Sequence, residues 1–369
     1  MTAVPKISIL LTNYNSEKFI EETVKSVLTQ TFQDFEFCIV DDCSTDSSYQ
    51  YLKNIKDPRM SVYKNAQNIG QSRSLNVGLK LTRAPLVARM DADDLAFPNW
   101  LEEQEKFIRE NPDFAVVSTQ AAVVNEHNKL QKIYYSPLKT EEVIIRSLTE
   151  SPINHVGSIM NKEIVLSVGG YGEAYKIAAD YDLWGRLLRA GYKMTSNPKV
   201  LIGIRVHSQS LSQIERRKCD VQEIRDIMKK NIHYFSDPAV TEKEIQMVNA
   251  LFFDEGALSF DEFKEGIEIF NRICTKTKGI SPKLIDAWRH NEIRVAFLKR
   301  IYFEIQEQNY QAVRKIALLG MERFGSLSSF LGFYLLSLGG NFILIKASIV
   351  YKSLIKLKTH FKMKRMRVI

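Results

Sequence analysis

Strand-like and helix-like patterns alternate four times within roughly the first ninety residues of this chain, and few architectures accommodate that rhythm. Residues 6–12 (KISILLT) read as a strand, and Asn13-Tyr14-Asn15-Ser16 as a tight exit that caps a helix. In that helix Phe19, Ile20, Thr23, Val24, Val27 and Leu28 recur at the helical period, so one face is apolar. A second strand at 35–40 leads through Asp41-Asp42-Cys43-Ser44-Thr45-Asp46 into a helix ending near Ile55. A third strand at 60–63 is followed by Asn68-Ile69-Gly70 and a helix over 71–81. Short loops between such units imply right-handed crossovers and a mainly parallel sheet flanked by helices. Two nucleotide fingerprints are missing: no Gly-x-Gly-x-x-Gly follows the first strand, and no lysine-bearing P-loop occurs anywhere.

The fourth strand, within LVARMDADD at 86–94, is apolar in its first half and ends in Asp91, Asp93 and Asp94. Open α/β sheets bind ligands beyond the carboxyl ends of their strands, where these acids fall. Hard carboxylate oxygens one residue apart suit Mg²⁺ or Mn²⁺, with positions left over for phosphate oxygens. The same residues also suit a solvated acidic turn, with Asp93 or Asp94 capping the helix after Pro98. After that helix the pattern gives a strand at 114–119, an undefined stretch over 120–150, and Gly-rich irregular text from 155 to 172. A helix at AADYDLWGRLLRAGY follows, with Leu183, Trp184, Leu187 and Leu188 inward and Gly191 as its stop, and then a strand at 200–206.

Composition bounds the remainder. The chain is 45% hydrophobic and 25% charged, which suits a globular protein of two or three domains. Its four cysteines show no paired metal spacing and read as free thiols of a reducing compartment. No apolar leader precedes the first strand, so a cytoplasmic location is expected. The formal charge of +8 is confined to 346–369, which holds eight Lys or Arg and no acid; elsewhere 43 basic residues meet 43 acidic ones. Just before it, 326–345 carries no charge over twenty residues. Basic residues beside an apolar run are drawn to anionic lipid at about 1 kcal/mol each, so peripheral association with the inner face of the cell membrane is expected. A buried helical cap with a free basic end is the other reading. Nucleic acid is not expected as a partner, because the basic run has no aromatic platform or known module. Three regions result: an α/β body at 1–214, a mostly helical region at 215–323, and the apolar and basic segment at 324–369.

Five segments in order, SILLTNYNSEKFIEETVKSVLTQTF, FCIVDDCSTDSS, NIGQSRSLNVGL, ARMDADDLAFP and ADYDLWGRL, resemble the family 2 glycosyltransferases of GT-A fold that build bacterial surface polysaccharides. The resemblance covers residues 6–210 and implies an inverting, Mn²⁺- or Mg²⁺-dependent enzyme. Its donor would be a UDP- or TDP-sugar and its acceptor a glycan or lipid-linked glycan. Carried over position by position, Thr12, Tyr14 and Asp42 surround the base, with Asp41 sharing that task. Arg73 reaches base or phosphate, and Asp91 lies near the ribose. Asp93, Asp94 and His207 serve the metal, Asp180 is the catalytic base, and His155 lines the acceptor side. Cys43 and Ala179 stand where the family commonly has Gly and Glu. A sugar-phosphate nucleotidyltransferase would want a Gly-rich basic loop after the first strand, which TNYNSEKF lacks. A non-catalytic membrane-associated assembly protein is the remaining alternative.

Overall fold

A computed structural model describes residues 4–208, 222–253, 258–324, 330 and 333. The chain divides after Asn231 into two compact units. In the first, the expected alternation is present: β1 (Ile7–Asn13), α1 (Ile20–Leu28), β2 (Phe35–Asp41), α2 (Ser48–Asn54), β3 (Met60–Lys64), α3 (Gln71–Leu81) and β4 (Leu86–Asp91). Beyond them come β5 (Leu95–Ala96), α4 (Trp100–Glu110), β6 (Phe114–Asn125), β7 (Leu130–Tyr134), α5 (Thr140–Arg146), β8 (Ile159–Asn161), α6 (Lys162–Ser167), α7 (Ala179–Arg189), β9 (Lys193–Val206) and the start of α8 (Gln222–Phe235).

The strands form one nine-stranded sheet in the order β3-β2-β1-β4-β8-β6-β9-β5, with β7 on β6. Pairings from β3 through β4 are parallel, as is β6 with β9. The joins made by β8, β5 and β7 are antiparallel. The sheet is therefore parallel where strand and helix alternate, and mixed beyond. Three-residue β8 follows directly on the irregular 155–158 text and inserts between β4 and β6.

Register fixes the site. Thr12 of β1 lies opposite Val40 of β2 and Asp91 of β4, and Asn13 opposite Asp41, so polar residues of three neighbouring parallel strands share one carboxyl edge. Beneath this edge the strands are apolar on both faces, with Ile7, Ile9, Leu11, Ile39, Ala88 and Met90 buried. α1 presents Ile20, Thr23, Val24 and Val27 inward, as its spacing predicts. The Thr23 hydroxyl sits within 3.1 Å of the Ala92 carbonyl and 2.8 Å of the Asp94 carbonyl, bracing the acidic turn from below.

Gly157 is a second structural pin. Its carbonyl accepts from Trp100 Nε1 (2.9 Å) and Gln104 Nε2 (2.7 Å), and its N–H donates to the Arg89 carbonyl (2.8 Å). Its φ of +79° is left-handed, and an added Cβ would stand 2.3 Å from Ile202 Cγ1 and 2.8 Å from Thr119 Cγ2. Backbone strain and overpacking therefore act together, and Gly157→Ala is expected to cost about 3 kcal/mol, read as a lowered urea midpoint at unchanged m.

The second unit is helical, as expected for the C-terminal region: α9 (Glu242–Phe253), α10 (Phe260–Lys276), α11 (Pro282–Gln306) and α12 (Tyr310–Phe324). Ser259 and Glu262 form a reciprocal capping box on α10, and Ser281 caps α11 ahead of Pro282. Phe263, Phe270 and Phe297 pack at its centre. No helix among the described residues is long and apolar enough to cross a membrane. Of the uncharged run, only Phe330 and Phe333 are described, both buried; the rest of 326–345, and the basic tail, lie outside the described residues.

Candidate active site

The two acids that close β2 do different work because successive residues point to opposite sides. Asp41 is fully buried: its Oδ2 accepts from Asn13 Nδ2 (2.7 Å) and Ser44 Oγ (2.6 Å), and its Oδ1 from the Ser44 amide (3.0 Å). It ties β1 to the turn that follows β2. Asp42 faces the loop before α3, where Oδ1 accepts from the Ile69 amide (2.9 Å) and Asn65 Nδ2 (2.8 Å), and Oδ2 from the Gly70 amide (2.8 Å). Cys43, in the position where resemblance expects Gly, takes a φ of +64°, so the turn keeps the left-handed conformation. Tyr14 stands half exposed at the edge, and Thr12 lies nearly buried beside Arg89. Arg73, in the first turn of α3, is exposed and pairs with Glu173 (3.1 Å).

The acidic turn after β4 is held by two buried arginines. Arg89, with no exposed surface, donates to the Asp91 carboxylate and lies within 3.4 Å of the Leu10 carbonyl. Arg205, near the end of β9, offers its amide to Asp94 Oδ1 (2.7 Å), Nη1 to the Asp93 carbonyl (2.9 Å) and Nη2 to Glu22 (2.5 Å), with its guanidinium over the Phe19 ring. Asp94 is accordingly buried and fixed to the sheet. Desolvation first, then the charges of Asp93 and Asp91, push its carboxyl well above the ordinary range. Asp91 is also raised, chiefly by desolvation, with Arg89 opposing and Asp93 adding to the shift. Asp91 and Asp93 are both partly exposed, and Asp93 Oδ2 lies 2.9 Å from His207 Nε2. Of the three side chains assigned to the metal by resemblance, Asp93 and His207 therefore converge, while Asp94 bonds to the β9 backbone. Among the described residues no three His, Cys, Asp or Glu side chains form a complete ligand cluster.

Asp180 sits in the first turn of α7, where Oδ2 accepts from Ser151 Oγ at 2.9 Å. Desolvation raises its carboxyl. The hydrogen bonds from Ser151 and from the Tyr181 and Asp180 amides oppose that shift, and the charge of Asp91 adds to it. Asp180 thus lies within electrostatic reach of Asp91. His155 is held neutral, its affinity for a proton lowered by desolvation and then by Arg89, and Nε2 lies 2.7 Å from the Tyr171 hydroxyl. It sits edge-on to Trp184, which is fully buried in the core, as its helical position predicts.

Ser151, Arg89 and Arg205 do not emerge from motif reading. The two arginines do carry a signal: each is a lone charge in an otherwise apolar strand, LVARM and VLIGIRV.

A parallel sheet edge bearing acids from neighbouring strands, with a further acid at a helix start in electrostatic reach of it, belongs to an α/β domain of the GT-A-like type. Residues 8–168 match the model of the family described as Glycosyl transferase family 2. An uncharacterized glycosyltransferase of Haemophilus influenzae is 27% identical over 64% of this chain and 76% of its own length. The amylovoran biosynthesis glycosyltransferase AmsE of Erwinia amylovora is 28% identical over 56% and 78%. Among solved structures, S. aureus TarS superimposes with a TM-score of 0.52 at 20% identity, over 79% of this chain and 53% of that one, so this chain spans about half of TarS. TarS 1–349 in complex with UDP-GlcNAc gives 0.52 at 19% identity, over 82% and 92%. Residues 8–168 therefore carry a glycosyltransferase family 2 domain.

Proposed function

We propose that this enzyme is an inverting, divalent-metal-dependent transferase that moves a hexosyl or N-acetylhexosaminyl group from a UDP-sugar to a hydroxyl of a glycan or lipid-linked glycan. The observation that carries this reading is the pairing of the Asp91-to-Asp94 turn with Asp180, one at a strand end and one at a helix start, in mutual electrostatic reach. Exposed Tyr14 and Arg73, with the more buried Thr12 and Asp42, suit a nucleotide near the same carboxyl edge, and Asp91 is assigned to its ribose. The UDP-GlcNAc complex of TarS supports a UDP-linked donor, and the amylovoran enzyme supports a role in surface polysaccharide synthesis.

The residues present fit a divalent ion. Mg²⁺ and Mn²⁺ are commonly held by one or two protein ligands, with substrate phosphates and water completing the set, and the Asp93 carboxylate and His207 imidazole supply such a pair. An ion there supplies neutralising charge to a departing diphosphate. Asp180 takes the proton of the acceptor hydroxyl as its oxygen bonds to the anomeric carbon and the bond to the diphosphate breaks. One carboxylate opposite the leaving group suffices for inversion. The basic character of 346–369 supports a seat at the inner face of the cell membrane, near lipid-linked acceptors.

Incubating the full chain with a panel of UDP-sugars and Mn²⁺ should release UDP from one donor, and EDTA should abolish the release. Release of inorganic pyrophosphate from UTP and a sugar phosphate, with no UDP from any donor, would instead identify a nucleotidyltransferase. No UDP release and no binding of UDP would leave the assembly-protein reading.

A further inference from the structure

The residue before α7 is Ala178, whose methyl group accepts nothing, and the first-turn carboxylate of Asp180 is engaged by Ser151 and its own local amides. The cap comes from elsewhere in the chain. Glu223, in the first turn of α8, turns its carboxylate onto three consecutive amides: Lys176 at 2.9 and 3.0 Å, Ile177 at 3.1 Å and Ala178 at 3.3 Å. An anion at this point also meets the positive end of the α7 dipole. All these residues belong to the first compact unit.

The segment leading into α7 is tethered from its other side by α3. Ser72 Oγ donates to the Tyr175 carbonyl (2.9 Å), Asn76 Nδ2 to the Tyr171 carbonyl (2.9 Å), and Arg73 pairs with Glu173. Those contacts fix residues 171–175 against the helix that follows the Asp42-bound loop. The last step of backbone before Asp180, residues 176–178, is set by Glu223. Asp180 accepts from the amides at its own position and at Tyr181, so the trajectory of that turn decides where its carboxylate points.

We propose that Glu223 is a positioning residue for the transfer reaction, which aims Asp180 by clamping residues 176–178 and does not touch either substrate. The proposal rests on the proposed function, since it needs Asp180 to act as base. Misplacing a reacting group by about 1 Å costs on the order of 100-fold in rate, whereas the residues assigned to the nucleotide are not contacted by Glu223. In the full-length enzyme, with the UDP-sugar that the wild type turns over, Glu223→Ala should lower kcat for UDP release by roughly 10- to 100-fold. UDP titration should give a Kd within about twofold of wild type, which also shows that the variant is folded. The near-isosteric Glu223→Gln keeps a carbonyl acceptor and should recover part of the loss. Lys230→Ala removes a bond from Nζ to the Tyr175 hydroxyl (2.7 Å) without touching the three amides, and should leave kcat within about twofold.

An unchanged kcat in Glu223→Ala would overturn the proposal. So would a parallel loss of UDP affinity and kcat, or an equal fall in Lys230→Ala, since either marks general loosening of the loop. A wild type that releases no UDP from any donor defeats the proposed function first and this inference with it, an outcome distinct from an active wild type matched by its Glu223 variants.

Discussion

Asp180→Asn is expected to lower kcat by about a thousandfold, the upper part of the range for losing a general base together with its contribution to orientation, while UDP binding stays intact. The substitution keeps the shape and an oxygen that can accept from Ser151, so the first turn of α7 need not move. It also relieves a cost. The carboxyl is raised by desolvation, which means that its ionised form is disfavoured in the folded state. A group whose folded pKa lies above its unfolded value adds stability below the unfolded value and loses it as pH rises through the folded one. Near neutral pH the ionised carboxylate is therefore a burden, and the neutral carboxamide should unfold at the same temperature or higher. Loss of turnover with retained or increased Tm separates a catalytic carboxylate from a structural cap, whose removal would lower both.

The same shift gives a pH test. The base acts as carboxylate, so activity falls as pH drops through its raised pKa, and the acid limb of the kcat profile should lie above the ordinary carboxylate range. The Ser151 hydroxyl stabilises the ionised form, so Ser151→Ala removes a lowering influence and should move that limb to higher pH.

The parallel part of the fold was legible because β1, β2 and β4 are apolar runs and α1 shows one apolar face; α3 begins and ends where its periodicity places it. Residues 120–172 resisted reading for a physical reason. β8 is three residues long and takes its place in the sheet from β4 and β6 on either side, and α6 is barely one and a half turns, so neither carries a period. Site residues divide in the same way. Asp91, Asp93 and Asp180 stand in compact motifs, whereas Arg205 reaches the acidic turn across more than a hundred positions and Glu223 reaches the α7 start from another helix. Adjacent acids were legible as a pair but not as individuals: only the pleat of β2 shows that Asp41 braces Asn13 and Ser44 while Asp42 turns to the loop before α3.

That distinction between acids of one motif sets the second large effect. Asp93→Ala is expected to lower kcat by about 10² to 10³, the range for removing one source of charge stabilisation at a leaving group. Asp93 is partly exposed and is the acid of its turn that meets His207, so its loss should remove the added Tm that Mn²⁺ confers on the UDP-bound enzyme. Asp94→Asn should behave differently. Its side chain is buried and accepts from the Arg205 amide, and desolvation together with the neighbouring acids already pushes it towards the neutral form. A neutral carboxamide keeps the acceptor and relieves the repulsion, so the Mn²⁺-dependent shift should survive in this variant. Thermal unfolding with UDP, with and without Mn²⁺, reads both variants in one experiment. Should Asp93→Ala keep turnover within about twofold of wild type, or Asp94→Asn alone lose the metal response, the assignment of Asp93 as the ligand fails.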